Sequence, residues 1–483
     1  MSNSTEKISV IEKIGYSLGD LAANLIFQTL MTFLAFFYTD VYKIPPATAS
    51  FIIFFGGMFG AFFNPIMGII ADRTTTRWGK FRPWILWTAV PFGAMAILAF
   101  STPDFSPSGK VVYAFITYLL LVVVYSANNL PYASLSGVIT GNMAERNSLS
   151  SYRFVAVTIA QLIVQSFLLP LALVLGDGDK TKGFENTMML FAAIGVVFFI
   201  ITFLTTKERI IPKPEQKSSV KEDLRDLVRN KPWIVMLIVT VFIFITLSLK
   251  GGMYVYYFEN YLSREHLGEF LEKILEKIGL SQLSDYSASG AEDVASIGFS
   301  LFNAAGIVTT IIGIAISKSL ADRFGKRDVF GCSLFLSALC LLMFYFYSPE
   351  AVGLVFATQM LHGFFYGIST PLLWAMIADV ADYSEWKNSR RATAIIFSAM
   401  IFGLKAGLSI GGALVAGILA SYGYSEQLAV QSAETVNGIK LSLSIYPMLT
   451  FFVSVACLFF YEINKKMEVR LQEELSARRT ENK

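Results

Sequence analysis

Four charged side chains fall inside long apolar stretches of this 483-residue sequence. Asp20 lies in the first apolar stretch, Arg153 opens the fifth, and Lys250 and Lys405 lie within the seventh and the eleventh. A charge inside a bilayer costs a few kcal/mol even on the lenient insertion scale, so each is a candidate functional residue. We expect Asp20 to pair with Lys405 or Lys250 and to shift when a substrate or a proton binds. A static ion pair that fixes helix packing is the alternative.

Neutral polar side chains add a second kind of chemistry. Tyr125, Asn128 and Asn129 share the fourth apolar stretch. On the tenth stretch, three side chains recur at four-residue spacing and so share a helix face: Tyr366, Thr370 and Trp374. Amides and hydroxyls in an apolar wall can hydrogen-bond sugar hydroxyls, while an aromatic ring packs against the sugar ring. An aromatic stripe alone is more often packing, but its combination with the buried charges favours a sugar-binding site.

The stretches that must position these residues are membrane-spanning helices. The composition is 54% hydrophobic and 16% charged, against about 25% charged residues in soluble domains. About 20 apolar residues span a hydrocarbon core of about 30 Å, and each stretch approaches or exceeds that length. The sequence predicts an all-α polytopic membrane protein with about twelve transmembrane helices in two six-helix halves. Its predicted parts are an N-terminal half (1–206), a linker (207–231), a C-terminal half (232–463) and a charged tail (464–483).

Two amphipathic helices are predicted outside the spans. One lies in the linker, at about residues 219–229. The other follows the seventh span, where apolar residues recur at helical spacing before a flexible serine-rich stretch: Leu267, Phe270, Leu271, Ile274 and Leu275.

A basic turn between the second and third spans organises the sequence. It begins Asp72-Arg73-Thr-Thr-Thr-Arg77, and a shorter copy beginning Asp322-Arg323 lies about half the chain downstream, which indicates an internal repeat. Basic loops resist translocation, so we expect both turns and both termini on the cytoplasmic side. These five charged residues are candidates for gating contacts. Asp72 could accept hydrogen bonds from a helix N-terminus or pair with Arg77, and a simple topology signal is the alternative.

These motifs resemble the signature of the glycoside–pentoside–hexuronide:cation symporters, the melibiose permease group of the major facilitator superfamily. The resemblance rests on Gly68 and Asp72 followed by Gly79-Lys80-Phe81-Arg82-Pro83-Trp84. Further matches run along the whole chain: Gly19-Asp20, Tyr125 with Asn129-Leu130-Pro131, Tyr152-Arg153-Phe154, Ala378-Asp379 with Asp382-Tyr383, and Lys405. The resemblance implies the major facilitator fold and proton- or sodium-coupled uptake of a sugar or glycoside by alternating access.

The resemblance also implies roles for individual residues. Asp20, Tyr125, Arg153 and the face bearing Thr370 match sugar-contacting positions of the family, and Lys405 matches a lysine that links the sugar and cation sites. With the polar residues considered above, the predicted substrate site comprises Asp20, Tyr125, Asn128, Asn129, Arg153, Lys250, Thr370, Trp374 and Lys405. The predicted coupling residues are Asp20, Lys405 and Asn64.

The sequence departs from the melibiose permease at the cation site. Gly60 and Asn64 stand where that permease has two aspartates that ligate the cation, and Asn129 replaces a sugar-binding aspartate. Because a sodium ion prefers anionic oxygen ligands, we expect a co-transported proton, carried by Asp20, rather than sodium. The retained cations leave the predicted cavity positive. A positive cavity suits an anionic hexuronide or acidic oligosaccharide, since the ligand offsets the burial of the cations.

The sequence leaves other functions open. The alternatives are a neutral pentoside or hexoside symporter that uses sodium, and a lipid or lysolipid carrier. An enzyme is not expected, because the sequence has no nucleophile motif and its three cysteines and isolated His266 and His362 give no metal site. We expect no cofactor beyond the co-transported ion. The expected partners are a small-molecule sugar or glycoside and the lipid bilayer, with no nucleic acid, for a functional monomer in the cytoplasmic (inner) membrane.

Overall fold

The structure, a computed structural model, describes residues 7–140, 143–209, 228–277, 291–388, 393–428 and 430–481. Helices make up most of this part of the chain, and its β-structure is confined to an isolated bridge between Thr76 and Gly79. Twelve helical segments within the described ranges are long and apolar enough to cross a membrane. The predicted all-α fold with about twelve spans is therefore confirmed.

The chain divides into two compact units. The N-terminal unit is Met1–Glu215 with Leu419–Ala429, and the C-terminal unit is Gln216–Ile418 with Val430–Lys483. The segment 419–429 groups with the N-terminal unit although it lies between two stretches of the C-terminal unit in the sequence. Its Tyr424 hydroxyl donates a short hydrogen bond to the carboxylate of Asp40, which ties the segment to the N-terminal unit. The amphipathic helix predicted in the linker lies almost wholly outside the described residues.

The described residues of the N-terminal unit include six membrane-spanning helices. They are α1 (Val10–Phe36), α2 (Pro46–Arg73), α3 (Arg82–Ala99), α4 (Pro107–Ile139), α5 (Met143–Leu175) and α6 (Lys180–Thr205). Helix α1 continues through a π-helical turn, Phe37–Val41.

Among the described residues, nine helices belong mainly to the C-terminal unit. They are α7 (Lys231–Asn260), α8 (Arg264–Lys277), α9 (Ala291–Phe324), α10 (Lys326–Met343), α11 (Val352–Asn388), α12 (Thr393–Ser421), α13 (Ala433–Leu443), α14 (Ile445–Leu458) and α15 (Lys465–Glu481). Helices α13 and α14 together form the last span, with a break at Ser444. Helix α8 confirms the amphipathic helix predicted after the seventh span, because Leu267, Leu271 and Leu275 are its buried residues. The serine-rich stretch predicted after it lies outside the described residues.

Several helices begin at residues that satisfy the free N–H groups of their first turn. Among the described residues, seven side chains at these positions accept a hydrogen bond from a backbone N–H two or three residues further on: Ser9, Ser106, Asp179, Asn230, Ser263, Ser432 and Asn464. Such a cap stabilises a helix by about 1 kcal/mol. Helices α2, α3, α4 and α7 have a proline in the first or second position, where its missing N–H costs nothing.

Helix α1 contacts α5 and α6 most closely, and its glycines permit this approach. A β-carbon placed on Gly15 would lie 2.0 Å from Thr205 Oγ1, and one placed on Gly19 would lie 2.6 Å from Tyr132 Cε2. Small residues at four-residue spacing commonly line the contacts of membrane helices. Gly19 therefore lets the Tyr132 ring lie against α1 directly beside Asp20.

In the C-terminal unit, the backbones of α9 and α11 touch. A β-carbon on Gly367 would lie 2.2 Å from the carbonyl oxygen of Thr310, and one on Gly313 would lie 2.2 Å from that of Phe364. The Thr310 hydroxyl also donates to the carbonyl oxygen of Gly363 at 3.1 Å. This crossing holds α11, the helix that carries Thr370 and Trp374.

Candidate functional site

The N-terminal unit holds an ion pair inside its helix bundle. The Nε of Arg153 on α5 donates a 2.8 Å hydrogen bond to Oδ2 of Asp20 on α1. The Asp20 side chain is 5% exposed, and the Arg153 side chain is 30% exposed. Asn24, one turn after Asp20, donates from Nδ2 to the Asp20 carbonyl oxygen at 2.8 Å and to its Oδ1 at 3.3 Å. Both carboxylate oxygens accept a hydrogen bond, while part of the guanidinium stays accessible.

Two tyrosines fix the position of the Arg153 guanidinium. The rings of Tyr16 and Tyr132 stack with centroids 4.7 Å apart. Each hydroxyl donates to the other residue's carbonyl oxygen, at 3.2 and 2.7 Å. The guanidinium carbon lies 5.9 Å from the Tyr16 centroid and 5.4 Å from the Tyr132 centroid, within the range of cation–π attraction. The pair therefore rests on a rigid aromatic support.

The observed partner of Asp20 differs from the sequence-based expectation. The structure joins Asp20 to Arg153, two predicted site residues that the sequence did not pair with each other. The expected pairing of Asp20 with Lys250 or Lys405 concerns residues of the other unit and stays a prediction.

The polar residues of α4 have different neighbours. Tyr125 stacks on Phe27 of α1 with centroids 5.6 Å apart. Asn128 is buried and donates from Nδ2 to the Thr88 hydroxyl of α3 at 2.8 Å, whereas its Oδ1 is buried with no hydrogen-bond partner in the described structure. Asn129 is half-buried. Asn128 thus joins α3 to α4, and a sugar contact by Asn128 or Asn129 stays a prediction.

The two predicted cation-ligand positions on α2 provide one polar side chain, the amide of Asn64. Asn64 is 8% exposed, and its Oδ1 has no hydrogen-bond partner among the described residues. A β-carbon on Gly60, one turn earlier, would lie 2.2 Å from Val122 Cγ1 of α4. The volume that a side chain would need at Gly60 is therefore filled by Val122.

The C-terminal unit holds a second buried polar cluster, which the sequence did not predict. Lys250 Nζ on α7 lies 2.7 Å from His362 Nε2 on α11. The other ring nitrogen of His362, Nδ1, lies 2.9 Å from Ser337 Oγ and 3.2 Å from the Ser337 carbonyl oxygen on α10. Lys250 is 8% exposed and His362 is 1% exposed. Three helices therefore converge on one chain of hydrogen bonds.

Aromatic rings surround this cluster. Lys250 Nζ lies 5.6 Å from the Tyr254 centroid and 5.7 Å from the Tyr366 centroid. The His362 ring lies nearly parallel to the rings of Tyr366 and Phe451, at 6.2 and 6.4 Å. The helix face predicted from Tyr366 onwards thus begins one turn earlier on α11, at His362.

The remaining predicted residues of this unit are less buried. Thr370 and Trp374 are half-buried, and the Thr370 hydroxyl donates to the Tyr366 carbonyl oxygen at 3.1 Å. Lys405 on α12 is also half-buried. Helix α12 lies directly against α7, because a β-carbon on Gly407 would lie 2.5 Å from the carbonyl oxygen of an α7 residue, Val241. The sugar and cation roles predicted for Thr370, Trp374 and Lys405 stay predictions.

The first basic turn is held by an acid that the sequence did not single out. The Glu208 carboxylate, just after α6, accepts hydrogen bonds from the backbone N–H groups of Lys80, Phe81 and Arg82 at 2.8, 2.7 and 2.9 Å. These groups form the N-terminus of α3, where the helix dipole favours an anion. Gly79 precedes them with φ at +112°, a conformation that suits glycine. Glu208 therefore provides the acceptor for the N-terminus of α3.

The predicted gating residues lie around the two basic turns. Arg73 and Arg77 are exposed, and the Arg77 guanidinium carbon lies 4.6 Å from the Trp78 centroid. The side chain of Asp72 is not among those that the structure describes. In the second copy, Asp322 and Arg323 are exposed, and their carbonyl oxygens accept hydrogen bonds from Lys465 Nζ at 3.0 and 2.7 Å. Gating by these five residues stays a prediction.

The comparisons with known proteins bear on the whole chain. A family model described as MFS/sugar transport protein matches residues 15–275 and 278–465. The chain belongs to this family. The resemblance drawn from its motifs is therefore confirmed, and the buried polar clusters described above are those of an MFS sugar transporter.

Individual relatives cover nearly all of this MFS sugar transporter. The inner membrane symporter YicJ of Escherichia coli K12 is 35% identical over 450 residues, which is 93% of this chain and 91% of the relative. The isoprimeverose transporter of Lactiplantibacillus pentosus is 32% identical over 458 residues, which is 94% of this chain and 89% of the relative. The crystal structure of the nucleoside transporter NupG has a TM-score of 0.61 at 14% identity, covering 94% of this chain and 100% of that structure, and shares its fold.

Two residues of this MFS sugar transporter were missed in the sequence for different reasons. His362 stands four residues before Tyr366, so the spacing that linked Tyr366 to Thr370 could have included it. Glu208 is the acid between Lys207 and Arg209, directly after the sixth span, where basic residues dominate the predicted linker. No local signal pairs Glu208 with a turn more than a hundred residues upstream, because that contact depends on how α3 and α6 lie together.

Proposed function

We propose that the protein imports a sugar, glycoside or sugar acid in symport with a cation across the inner membrane, by alternating access. The Asp20–Arg153 pair carries this proposal. Its carboxylate and partly accessible guanidinium offer an acceptor and donors to neighbouring hydroxyls, and the stacked tyrosines keep both groups in place. Preorganised polar groups of this kind are what a site needs to bind a polyhydroxylated ligand in an otherwise apolar bundle.

Charge balance favours an acidic sugar as the substrate. In the N-terminal unit, the charges of Asp20 and Arg153 offset each other. In the C-terminal unit, Lys250 is buried, and the fully buried side chains described there include no carboxylate. A substrate carboxylate would supply a counter-charge that those described buried side chains do not. We therefore place a hexuronide or an acidic oligosaccharide ahead of a neutral glycoside.

The packing of α2 favours a proton over sodium as the coupling ion. Val122 fills the volume next to Gly60, so this chain offers no room for a carboxylate at one of the two cation-ligand positions implied by the family resemblance. Asn64 supplies a neutral amide at the other position. Coupling to sodium, the alternative, would depend on Asn64, because its buried Oδ1 accepts no hydrogen bond from the described residues and could bind a cation.

Transport by purified protein in proteoliposomes tests this proposal. The panel contains methyl β-glucuronide, methyl β-xyloside and a lysophospholipid, each driven by an inward proton gradient without sodium and by an inward sodium gradient at constant pH. We expect glucuronide uptake with the proton gradient alone and its loss in Arg153→Gln. Sodium-driven uptake of the xyloside would instead support the neutral-sugar alternative, and movement of the lysophospholipid alone would support a lipid carrier. Binding can be checked first, because a ligand at 100 times its Kd adds about 2.7 kcal/mol of stability.

A further inference from the structure

Lys250 and His362 form a contact between two basic side chains. A 2.7 Å distance between Nζ and Nε2 is a hydrogen bond, which needs one donor and one acceptor. A lysine ammonium and an imidazolium both present only donors, so the two residues cannot both be protonated in this geometry. The pair therefore holds one positive charge or none.

Ser337 fits both of these charge states. When the lysine ammonium donates to Nε2, the ring carries its hydrogen on Nδ1, and the Ser337 carbonyl oxygen at 3.2 Å accepts it. When Nε2–H donates to a neutral lysine amine, Nδ1 becomes an acceptor, and the Ser337 hydroxyl at 2.9 Å donates to it. One residue thus supplies both an acceptor and a donor to the same ring nitrogen. A site with a single fixed charge state would need only one of them.

Within the described part of the chain, no charged side chain contacts the pair to fix its charge state. The neighbouring titratable groups are Tyr254 of α7, Tyr366 of α11 and Cys340 of α10, which interacts with Tyr254, and all three are ordinarily neutral. Helix α9 contributes Phe302 against Tyr254, and α14 contributes Phe451 against His362. Among the fully buried residues described in the C-terminal unit there is no carboxylate. Aromatic faces offset part of the cost of a buried cation but do not neutralise it.

The pair differs in this respect from the charges in the N-terminal unit. Arg153 has the Asp20 carboxylate as a counter-charge, so a change of protonation at Asp20 would break an ion pair. Loss of a proton from the Lys250–His362 pair would break no ion pair, and Ser337 keeps the ring satisfied. The gain and loss of one proton is therefore easier at the second site.

We propose that Lys250 and His362, with Ser337, form the proton-binding site through which transport is coupled. On release, the lysine ammonium gives one proton to solvent, and the charge of the pair falls from +1 to 0. The ring hydrogen moves from Nδ1 to Nε2, so Nδ1 changes from donating to the Ser337 carbonyl oxygen to accepting from the Ser337 hydroxyl. This inference rests on the proposed symport and moves the coupling proton from Asp20 to the C-terminal unit.

Two measurements on the full-length protein test this site, and the first needs no sugar. Lysine Nζ titration is followed by NMR on protein with isotope-labelled lysine, and the Lys250 signal is assigned by its loss in Lys250→Gln. We expect this signal to titrate with pH and its midpoint to move in His362→Gln. His266→Gln on the exposed surface is the matched control and should leave the midpoint unchanged. A Lys250 signal with no titration, or one indifferent to His362→Gln, would overturn the proposal.

The second measurement concerns coupling. Proteoliposomes loaded with a pH-sensitive dye receive methyl β-glucuronide or methyl β-xyloside, and both proton flux and sugar exchange without a gradient are recorded. We expect His362→Gln to retain exchange but to lose sugar-dependent proton flux and gradient-driven accumulation, whereas Lys273→Gln on the surface retains all three. Normal proton flux in His362→Gln would refute coupling at this site. Absence of sugar transport in the unaltered protein, with the Lys250 titration present, would instead refute the symport and leave the proton site intact.

Discussion

Arg153 and Asp20 meet at 2.8 Å inside the N-terminal unit, and each depends on the other for its charge balance. Asn24 donates a hydrogen bond to the second carboxylate oxygen of Asp20. The stacked rings of Tyr16 and Tyr132 hold the Arg153 guanidinium. Removing one partner of a buried ion pair leaves the other charge uncompensated, which costs more than removing both. The two residues therefore stabilise the fold jointly. Single and double variants can separate the effect of the pair on stability from its effect on sugar binding.

The first prediction concerns this pair. Asp20→Asn should lower the free energy of unfolding by on the order of 2 kcal/mol, less than for a fully buried pair because Arg153 is 30% exposed. The double variant Asp20→Asn/Arg153→Gln should recover part of that loss, because no charge then remains unpaired. Both variants should lose sugar binding. The measurements are unfolding in detergent and calorimetric titration with methyl β-glucuronide.

An exposed ion pair provides the control for this cycle. Lys273 and Glu269 lie 3.9 Å apart on α8 with side chains 74% and 60% exposed. Lys273→Gln should change stability by less than about 0.5 kcal/mol. If Asp20→Asn were no more destabilising than Lys273→Gln, the pair would not contribute to the stability of the unit.

The second prediction concerns the acid at the start of α3. Glu208→Gln keeps one carbonyl oxygen but removes the negative charge of the carboxylate. That carboxylate accepts hydrogen bonds from three backbone N–H groups. We expect a loss of about 1 kcal/mol from the weaker charge–dipole interaction, and a larger loss in Glu208→Ala, which leaves those N–H groups without an acceptor. Thermal unfolding of the two variants measures the difference. Equal stability of Glu208→Ala and the unaltered protein would show that the carboxylate contact is not maintained in solution.

The sequence predicted the spans and the charged residues within them, because the hydrophobic length of a helix and a charge inside it are local properties. Asp20, Arg153 and Lys250 were all selected in this way. The sequence did not predict the partners of these residues. The pairing of Arg153 with Asp20 and of Lys250 with His362 depends on which faces of α1, α5, α7 and α11 meet.

Weak helical periodicity explains why those faces were hard to predict. A helix that is apolar all round offers few polar positions from which to read its orientation. The orientation of α1 and α11 is instead fixed by glycines, at Gly19 and Gly367, where a neighbouring side chain or backbone fills the place of a β-carbon. His362 looked isolated because its partners lie on two other helices, at Lys250 and Ser337.

The third prediction tests one of these glycine contacts. Gly367→Ala would bring a β-carbon to 2.2 Å from the carbonyl oxygen of Thr310, which is backbone and cannot rotate away. Overpacking of this kind costs about 1–3 kcal/mol, so α9 and α11 should separate and the melting temperature should fall. Gly251→Ala on α7 is the matched control, because nothing lies within 4 Å of its β-carbon position. Similar melting temperatures for the two variants would contradict the close crossing of α9 and α11.

The last prediction concerns pH and the start of α5. The ammonium of Lys13 at 2.8 Å, helped by the backbone N–H of Ile8 at 3.2 Å, holds the pKa of Glu145 below its ordinary value. Because the folded pKa is the lower one, this contact stabilises the fold above the unfolded pKa, and the gain is lost as pH falls through the folded pKa. Glu145→Gln should therefore be less stable than the unaltered protein near neutral pH and equal to it in acid. Glu269→Gln, at an exposed acid of α8, should show no such convergence, and a Glu145→Gln stability difference that persisted in acid would mean that Lys13 does not act through the charge of Glu145.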